Sequence, residues 1–229
     1  MRSREMMKTE VTTVLFDLDG TLLDTLQDLT NSTNAAMEKM GFAPHTLDEV
    51  RRFVGNGIGN LIARSIPGGK ENPRFAGTLE AFKEHYAKHC LDKTRAYPGI
   101  MELLDILQKR GIRMGIISNK ADFAVKSLCE KFFGEQIPVA VGEREGVRRK
   151  PAPDAVLAAM EELGSRPEGT LYVGDSDVDI DTARNAGIAC VSCTWGFRDQ
   201  TFLKEHGAEN LIHQPQELLL FLPPVSDPA

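Results

Sequence analysis

Phe16-Asp17-Leu18-Asp19-Gly20-Thr21-Leu22-Leu23-Asp24-Thr25, FDLDGTLLDT, sets two carboxylates two residues apart, directly after an apolar run. That run, residues 11–16 (VTTVLF), is rich in β-branched and apolar side chains and predicts a buried strand. Carboxylates so close at a strand end repel each other. In a poorly solvated place they stay ionised only beside a cation or hydrogen-bond donors. Residues 17–21 are thus locally unfavourable, and unfavourable spots that a sequence tolerates tend to be functional.

Outward from this stretch the chain changes character twice. Residues 25–94 show helical periodicity, as in Leu26, Leu29, Thr33, Ala36, Met37 and Met40, closed by Gly41. Further helices are predicted over 47–53, 58–66 and 73–90, with no convincing strand among them. This predicts a small helical cap inserted into a core formed by residues 1–24 and 95–229. From Tyr97-Pro98-Gly99 onward, helices and strands alternate. Helices are predicted at 100–109, 121–133, 153–163 and 178–186, and strands at 112–117, 137–141, 170–173 and 188–192. A weaker strand at 210–213, a last helix and a loose PPVSDPA tail complete the pattern. Strands joined by single helices pair in parallel with right-handed crossovers, so the fold class is α/β: a three-layer, Rossmann-like parallel sheet core with an inserted α-helical cap.

The 229 residues suffice for one large domain or a domain with an insert. A net charge of −6 argues against non-specific binding to nucleic acid or anionic membrane. No apolar run approaches the ~20 residues needed to span a bilayer. The opening MRSREMMKTE has no apolar segment of the secretory kind, so a cytoplasmic location is expected. Cys190 and Cys193 form a C-x-x-C pair without a second ligand pair, and read as small apolar fillers. His85 and His89 stand at i, i+4 on a predicted helix without a third ligand, and read as a wet helix face.

Open parallel sheets place ligands at the carboxyl ends of their strands. Those ends here carry Asp17 and Asp19; Ser118-Asn119-Lys120; through a short turn, Arg148-Arg149-Lys150; and Gly174-Asp175-Ser176-Asp177-Val178-Asp179. Each alone is common turn chemistry. Together they bring carboxylates, a hydroxyl, an amide and an ammonium to one crevice. Carboxylate oxygens without Cys or His partners favour a hard cation, with Mg²⁺ the natural occupant. Hydroxyl, amide and ammonium suit phosphate oxygens. An Asp beside such an ion can attack phosphorus, while a second carboxyl protonates the leaving oxygen.

With these residues in view, the chain resembles the haloacid dehalogenase-like hydrolase superfamily, most closely its phosphoglycolate phosphatase-like branch. The resemblance runs from Val11 to about Leu220, carried by DLDGTLLDT, Ser118-Asn119-Lys120, Lys150-Pro151 and GDSDVDI in the family's order. It implies Asp17 as nucleophile and Asp19 as general acid/base. It implies Mg²⁺ held by the Asp17 carboxylate, the Asp19 main-chain carbonyl and Asp175, with Asp179 in the outer shell. Ser118, Asn119 and Lys150 would bind the phosphoryl group, and Thr21, in the same phosphate-binding set, would help hold Asp19. Lys120 is left between motif and solvent, while Asp177 and Asp181 are expected to cap a helix or face water. Because dehalogenases of this family lack a carboxylate two residues after the nucleophile, Asp19 favours a phosphatase. The expected partner is a small phosphorylated metabolite, phosphoglycolate first, with the protein a monomer or homodimer. Phe53-Val54-Gly55-Asn56-Gly57 resembles the cap loop of phosphoglycolate phosphatases, and Arg51, Arg52, Arg64 and Arg198 are candidates for a substrate carboxylate. The alternatives are a sugar-phosphate mutase similar to β-phosphoglucomutase and a non-catalytic phosphometabolite-binding protein.

Overall fold

The computed structural model describes residues 11–224. The opening MRSREMMKTE and most of the PPVSDPA tail lie outside that range. The chain divides into two compact units, one of residues up to Leu22 together with those from Ala96 onward, the other Leu23–Arg95.

Strand β1 (Thr13–Phe16) is buried along its whole length, as its apolar run demands. After it come β2 (Leu23–Asp24) and the helices α1 (Leu26–Lys39), α2 (Leu47–Phe53), α3 (Ile58–Ser65) and α4 (Phe75–His89), closed by β3 (Arg95–Ala96). Thr46 caps α2 in a reciprocal box with Glu49, the Ser/Thr-x-x-Glu pattern that starts a helix. The loop before α3 needs its glycines: Gly55, Asn56 and Gly57 all have positive φ, and Arg64 holds the turn by donating to the Phe53 and Gly55 carbonyls. Asp28, 1% exposed on α1, accepts from Lys93 N, Thr94 N and Thr94 Oγ1.

The second half supplies α5 (Ile100–Lys109), β4 (Arg113–Ala121), α6 (Asp122–Phe132), β5 (Val139–Glu143) and α7 (Asp154–Glu162). Next come β6 (Thr170–Gly174), α8 (Asp177–Ala186), β7 (Ala189–Cys193), α9 (Gln200–Glu205) and β8 (Leu211–Ile212). The sheet order is β5-β4-β1-β6-β7-β8, and β1 runs parallel to both neighbours, Phe16 pairing with Ile116 and Val173. The chain therefore reverses its direction of growth at β1, and ligand crevices in open α/β sheets lie at the carboxyl ends beside such a switch point.

Four expectations shift. β4 runs to Ala121 instead of stopping at 117, because after an irregularity Ala121 regains pairing with Glu143, so Ser118–Lys120 lie inside the strand's end. The last helix is a 3₁₀ segment, Pro215–Phe221. Helix α9 was not anticipated; Asp199 caps it by accepting from Phe202 N. His85 and His89 are not a plain wet face: their rings stack at 4.3 Å, His85 Nδ1 meets Ser32 Oγ and His89 Nδ1 meets Asp92. Cys193 is buried and Cys190 half-buried, and burial pushes both thiols up, Cys190 to about 12, as inert fillers require. Among the described residues no helix is long and apolar enough to cross a membrane.

Candidate active site

Asp17 is the first residue beyond β1, and its N–H still donates to Val173 O, so the nucleophile candidate is fixed by the central ladder. Its Oδ1 accepts from Leu18 N at 2.7 Å and lies 2.8 Å from Lys150 Nζ. Its Oδ2 takes no hydrogen bond among the described residues. Lys150, 3% exposed, also donates to Asp179 Oδ1 at 2.8 Å and to Tyr172 Oη at 3.1 Å. Burial and the Asp179 charge push the Asp17 carboxyl well above the usual carboxylate range, against the pull of Lys150. For Lys150, burial favours the neutral amine, but the Asp17 and Asp179 carboxylates outweigh it and hold the proton on.

Asp175 leaves the end of β6 and is enclosed by backbone. A Cβ on Gly20, whose φ is +86°, or on Gly196 would overlap its carboxylate. Only glycine permits that approach at both positions. Thr21 Oγ1 donates to Asp175 Oδ1 at 3.2 Å and Phe197 N to Oδ2 at 2.7 Å. Burial and the Asp179 charge push Asp175 up to about 7. Thr21 was expected to hold Asp19; its hydroxyl is spent on Asp175 instead, because the turn at Gly20 carries it to β6. Trp195 Nε1 in turn donates to Thr21 O.

Asp179 closes the capping box of α8, its Oδ2 accepting from Ser176 N and Oγ and from Asp175 N, while its Oδ1 takes Lys150 and Tyr172. Both oxygens are thus committed to protein donors. Asp177 opens α8 and Asp181 pairs with Arg184 on its exposed face, as anticipated.

Lys120 is buried, not solvated. Its Nζ donates to both oxygens of Asp19, at 2.7 and 2.9 Å. Ser118 Oγ accepts from Lys120 N, and Asn119 Nδ2 donates to Lys150 O, which leaves Asn119 Oδ1 buried without a partner. The half-buried Asn119 amide therefore anchors the loop carrying Lys150. Tyr172 was missed by the sequence reading. Tyr172 is an aromatic in a buried strand, and only its partners across the sheet reveal its role.

Oxygens of Asp17, Asp175 and Asp179 lie within 4.8 Å of one another. Four carboxyls (Asp17, Asp19, Asp175 and Asp179) face two ammonium groups (Lys120 and Lys150). An all-oxygen donor set with excess negative charge fits a hard divalent cation.

A family model described as haloacid dehalogenase-like hydrolase matches residues 14–193. Phosphoglycolate phosphatase 1 of Pseudomonas aeruginosa is 33% identical over 90% of this chain and 78% of its own length. N-acetylmuramic acid 6-phosphate phosphatase of the same organism is 32% identical over 93% of this chain and 96% of its own. The crystal structure of a candidate phosphoglycolate phosphatase from Lactobacillus delbrueckii subsp. bulgaricus superposes with a TM-score of 0.88 at 34% identity, covering 92% of this chain and 97% of the other. With a sheet whose strand ends gather these carboxylates and lysines, the chain belongs to the haloacid dehalogenase-like hydrolase family.

Proposed function

We propose that this hydrolase cleaves phosphate monoesters of a small metabolite through an aspartyl-phosphate on Asp17, with phosphoglycolate its first substrate. The observation that carries the reading is the pairing of Asp17, whose Oδ2 lacks a donor among the described residues, with a second carboxyl at Asp19 and the buried ammonium of Lys150. An Asp17 oxygen bonds to phosphorus as the ester P–O bond breaks, and protonated Asp19 gives its proton to the departing alkoxide. Water then attacks phosphorus and gives a proton to Asp19, the bond from Asp17 to phosphorus breaks, and inorganic phosphate leaves. Ser118, Asn119 and Lys150 orient the phosphoryl oxygens, Lys150 also offsetting their charge.

The donor set is suited to Mg²⁺, held by the Asp17 carboxylate, the Asp19 carbonyl and Asp175, with Thr21 and Phe197 N orienting Asp175. When bound, the ion supplies charge neutralisation at the transferring phosphoryl group. Asp179, with both oxygens occupied, steadies Lys150 and Asp175 from behind. The helical unit at 23–95 serves as the cap anticipated from the sequence. The protein is proposed to act in the cytoplasm, without nucleic-acid or membrane partners.

The test is phosphate release from phosphoglycolate with and without Mg²⁺. Asp17→Asn should abolish turnover with the fold intact, and retained turnover would remove Asp17 as nucleophile. The relative named for N-acetylmuramic acid 6-phosphate, matched over nearly its full length, supports that ester as the second reading. A higher kcat/KM for it than for phosphoglycolate would reverse the order.

A further inference from the structure

The two buried lysines of the crevice hold different carboxylates: Lys150 grips Asp17 and Asp179, and Lys120 grips Asp19. We propose that Lys120 is the positioning residue for the proton carrier Asp19, an inference that rests on the phosphatase reading above. The Lys120 side chain is 5% exposed and that of Asp19 17%, and the ammonium contacts both carboxylate oxygens. A carboxyl held at one oxygen still turns about its last torsion, whereas one held at both has its plane fixed. Aim matters because the proton must reach one leaving oxygen along a narrow arc.

The base from which Lys120 reaches is itself rigid. It lies in β4 between β1 and β5, its N–H donates to Ser118 Oγ, and a Cβ on Gly142 of β5 would sit only 2.6 Å from its carbonyl oxygen. A ligand held on a packed strand is placed more finely than one on a loop. Two residues on, Asp122 Oδ1 accepts from Gly142 N and locks the end of β4 against β5.

The consequence is a loss that depends on the leaving group. An alkyl phosphate needs the proton from Asp19; p-nitrophenyl phosphate expels a stable phenolate and needs it far less. Lys120→Met, which keeps the stem and removes the charge, should lower kcat/KM for ethyl phosphate by ~10²-fold, with a much smaller loss for p-nitrophenyl phosphate. In an Asp19→Asn background the same substitution should add no further loss. Lys120→Arg should recover part of the ethyl phosphate rate.

Equal losses on both esters, or an additive loss on top of Asp19→Asn, would overturn the role. So would a loss confined to KM for phosphoglycolate, which would make Lys120 a ligand of the substrate carboxylate. If Lys120→Met does not fold by circular dichroism, Lys120→Arg decides: an unchanged ratio of ethyl to p-nitrophenyl rates overturns the role, and a lowered ratio sustains it. A parent enzyme inactive on every ester would instead refute the phosphatase reading.

Discussion

In the sheet unit, the buried charged groups Asp17, Lys120, Lys150, Asp175 and Asp179 meet at one strand edge, and their partners are far away in sequence, as in Thr21 with Asp175 and Lys120 with Asp19. In the helical unit, the buried polar groups are mostly hydroxyls. Thr30, Ser65 and Thr78 each donate to the carbonyl four residues back. The one buried carboxylate there, Asp28, is satisfied by two backbone N–H groups and one hydroxyl, with no cation among the described residues. Hydroxyls satisfied within their own turn ask nothing of the rest of the fold. The charge cluster exists only when β1, β4, β6 and the Lys150 loop are all assembled. Buried ionic groups are weak sources of stability, so their concentration at one edge reflects chemistry rather than folding.

The largest break in that contrast comes at Lys150. Lys150→Met leaves Asp17 and Asp179 buried without their shared cation, which should cost about 3–5 kcal/mol of stability. Urea unfolding in the presence of a chelator measures it, and turnover should vanish with the stability. A loss below about 1 kcal/mol would show that the two carboxyls keep protons or find water instead.

Gly196→Ala should come next. The added Cβ meets the Asp175 side chain and Gly20 O, so Asp175 must move. Overpacking of this kind costs about 1–3 kcal/mol. With Asp175 as the proposed ligand, the divalent-ion concentration giving half-maximal activity should rise about 10-fold or more as its carboxylate loses its orientation. An unchanged metal dependence would take Asp175 out of the ion's coordination.

The fold was legible in the sequence because period is a local property. α5 falls at Ile100–Lys109 as its apolar spacing predicts, and the strand–helix alternation from β4 onward dictates the parallel sheet. The end of β4 was not legible, since its extension to Ala121 depends on Glu143 of another strand. Within the site, residue types and order identified Asp17, Asp19, Ser118, Lys150 and Asp175 as candidates. Which donor each carboxylate takes was hidden. Thr21 stands two residues from Asp19 yet serves Asp175, and Lys120 reaches back across the sheet to Asp19. Such choices follow from strand order, which no short window contains.

For the helical unit, Asp28→Asn sharpens the contrast by a smaller amount. The amide would present N–H groups to donors that now meet carboxylate oxygens, leaving Lys93 N or Thr94 N unsatisfied. A cost of about 1–3 kcal/mol is expected, read as a lowered denaturation midpoint.

The smallest effect concerns acid. Burial and the neighbouring His89 lower the pKa of His85 from its ordinary 6.5. A histidine whose folded value lies below its unfolded one stabilises the fold fully above 6.5. That contribution is lost as pH falls from 6.5 through the lowered value, because the unfolded chain binds the proton more readily. The groups around it are Ser32, His89, Asp92 and Lys88, of which only Asp92 opposes the shift. Between pH 7 and 5 the His85 contribution to the melting temperature should therefore decline by a small amount, read as the difference between the parent and His85→Gln. The charge cluster of the sheet unit pulls the opposite way: burial first and the Asp179 charge second raise Asp17 and Asp175, so protonation in acid removes charges that the fold disfavours. A His85→Gln variant whose acid-side melting curve matches the parent's would remove His85 from the balance and leave the cluster as the dominant titrating element.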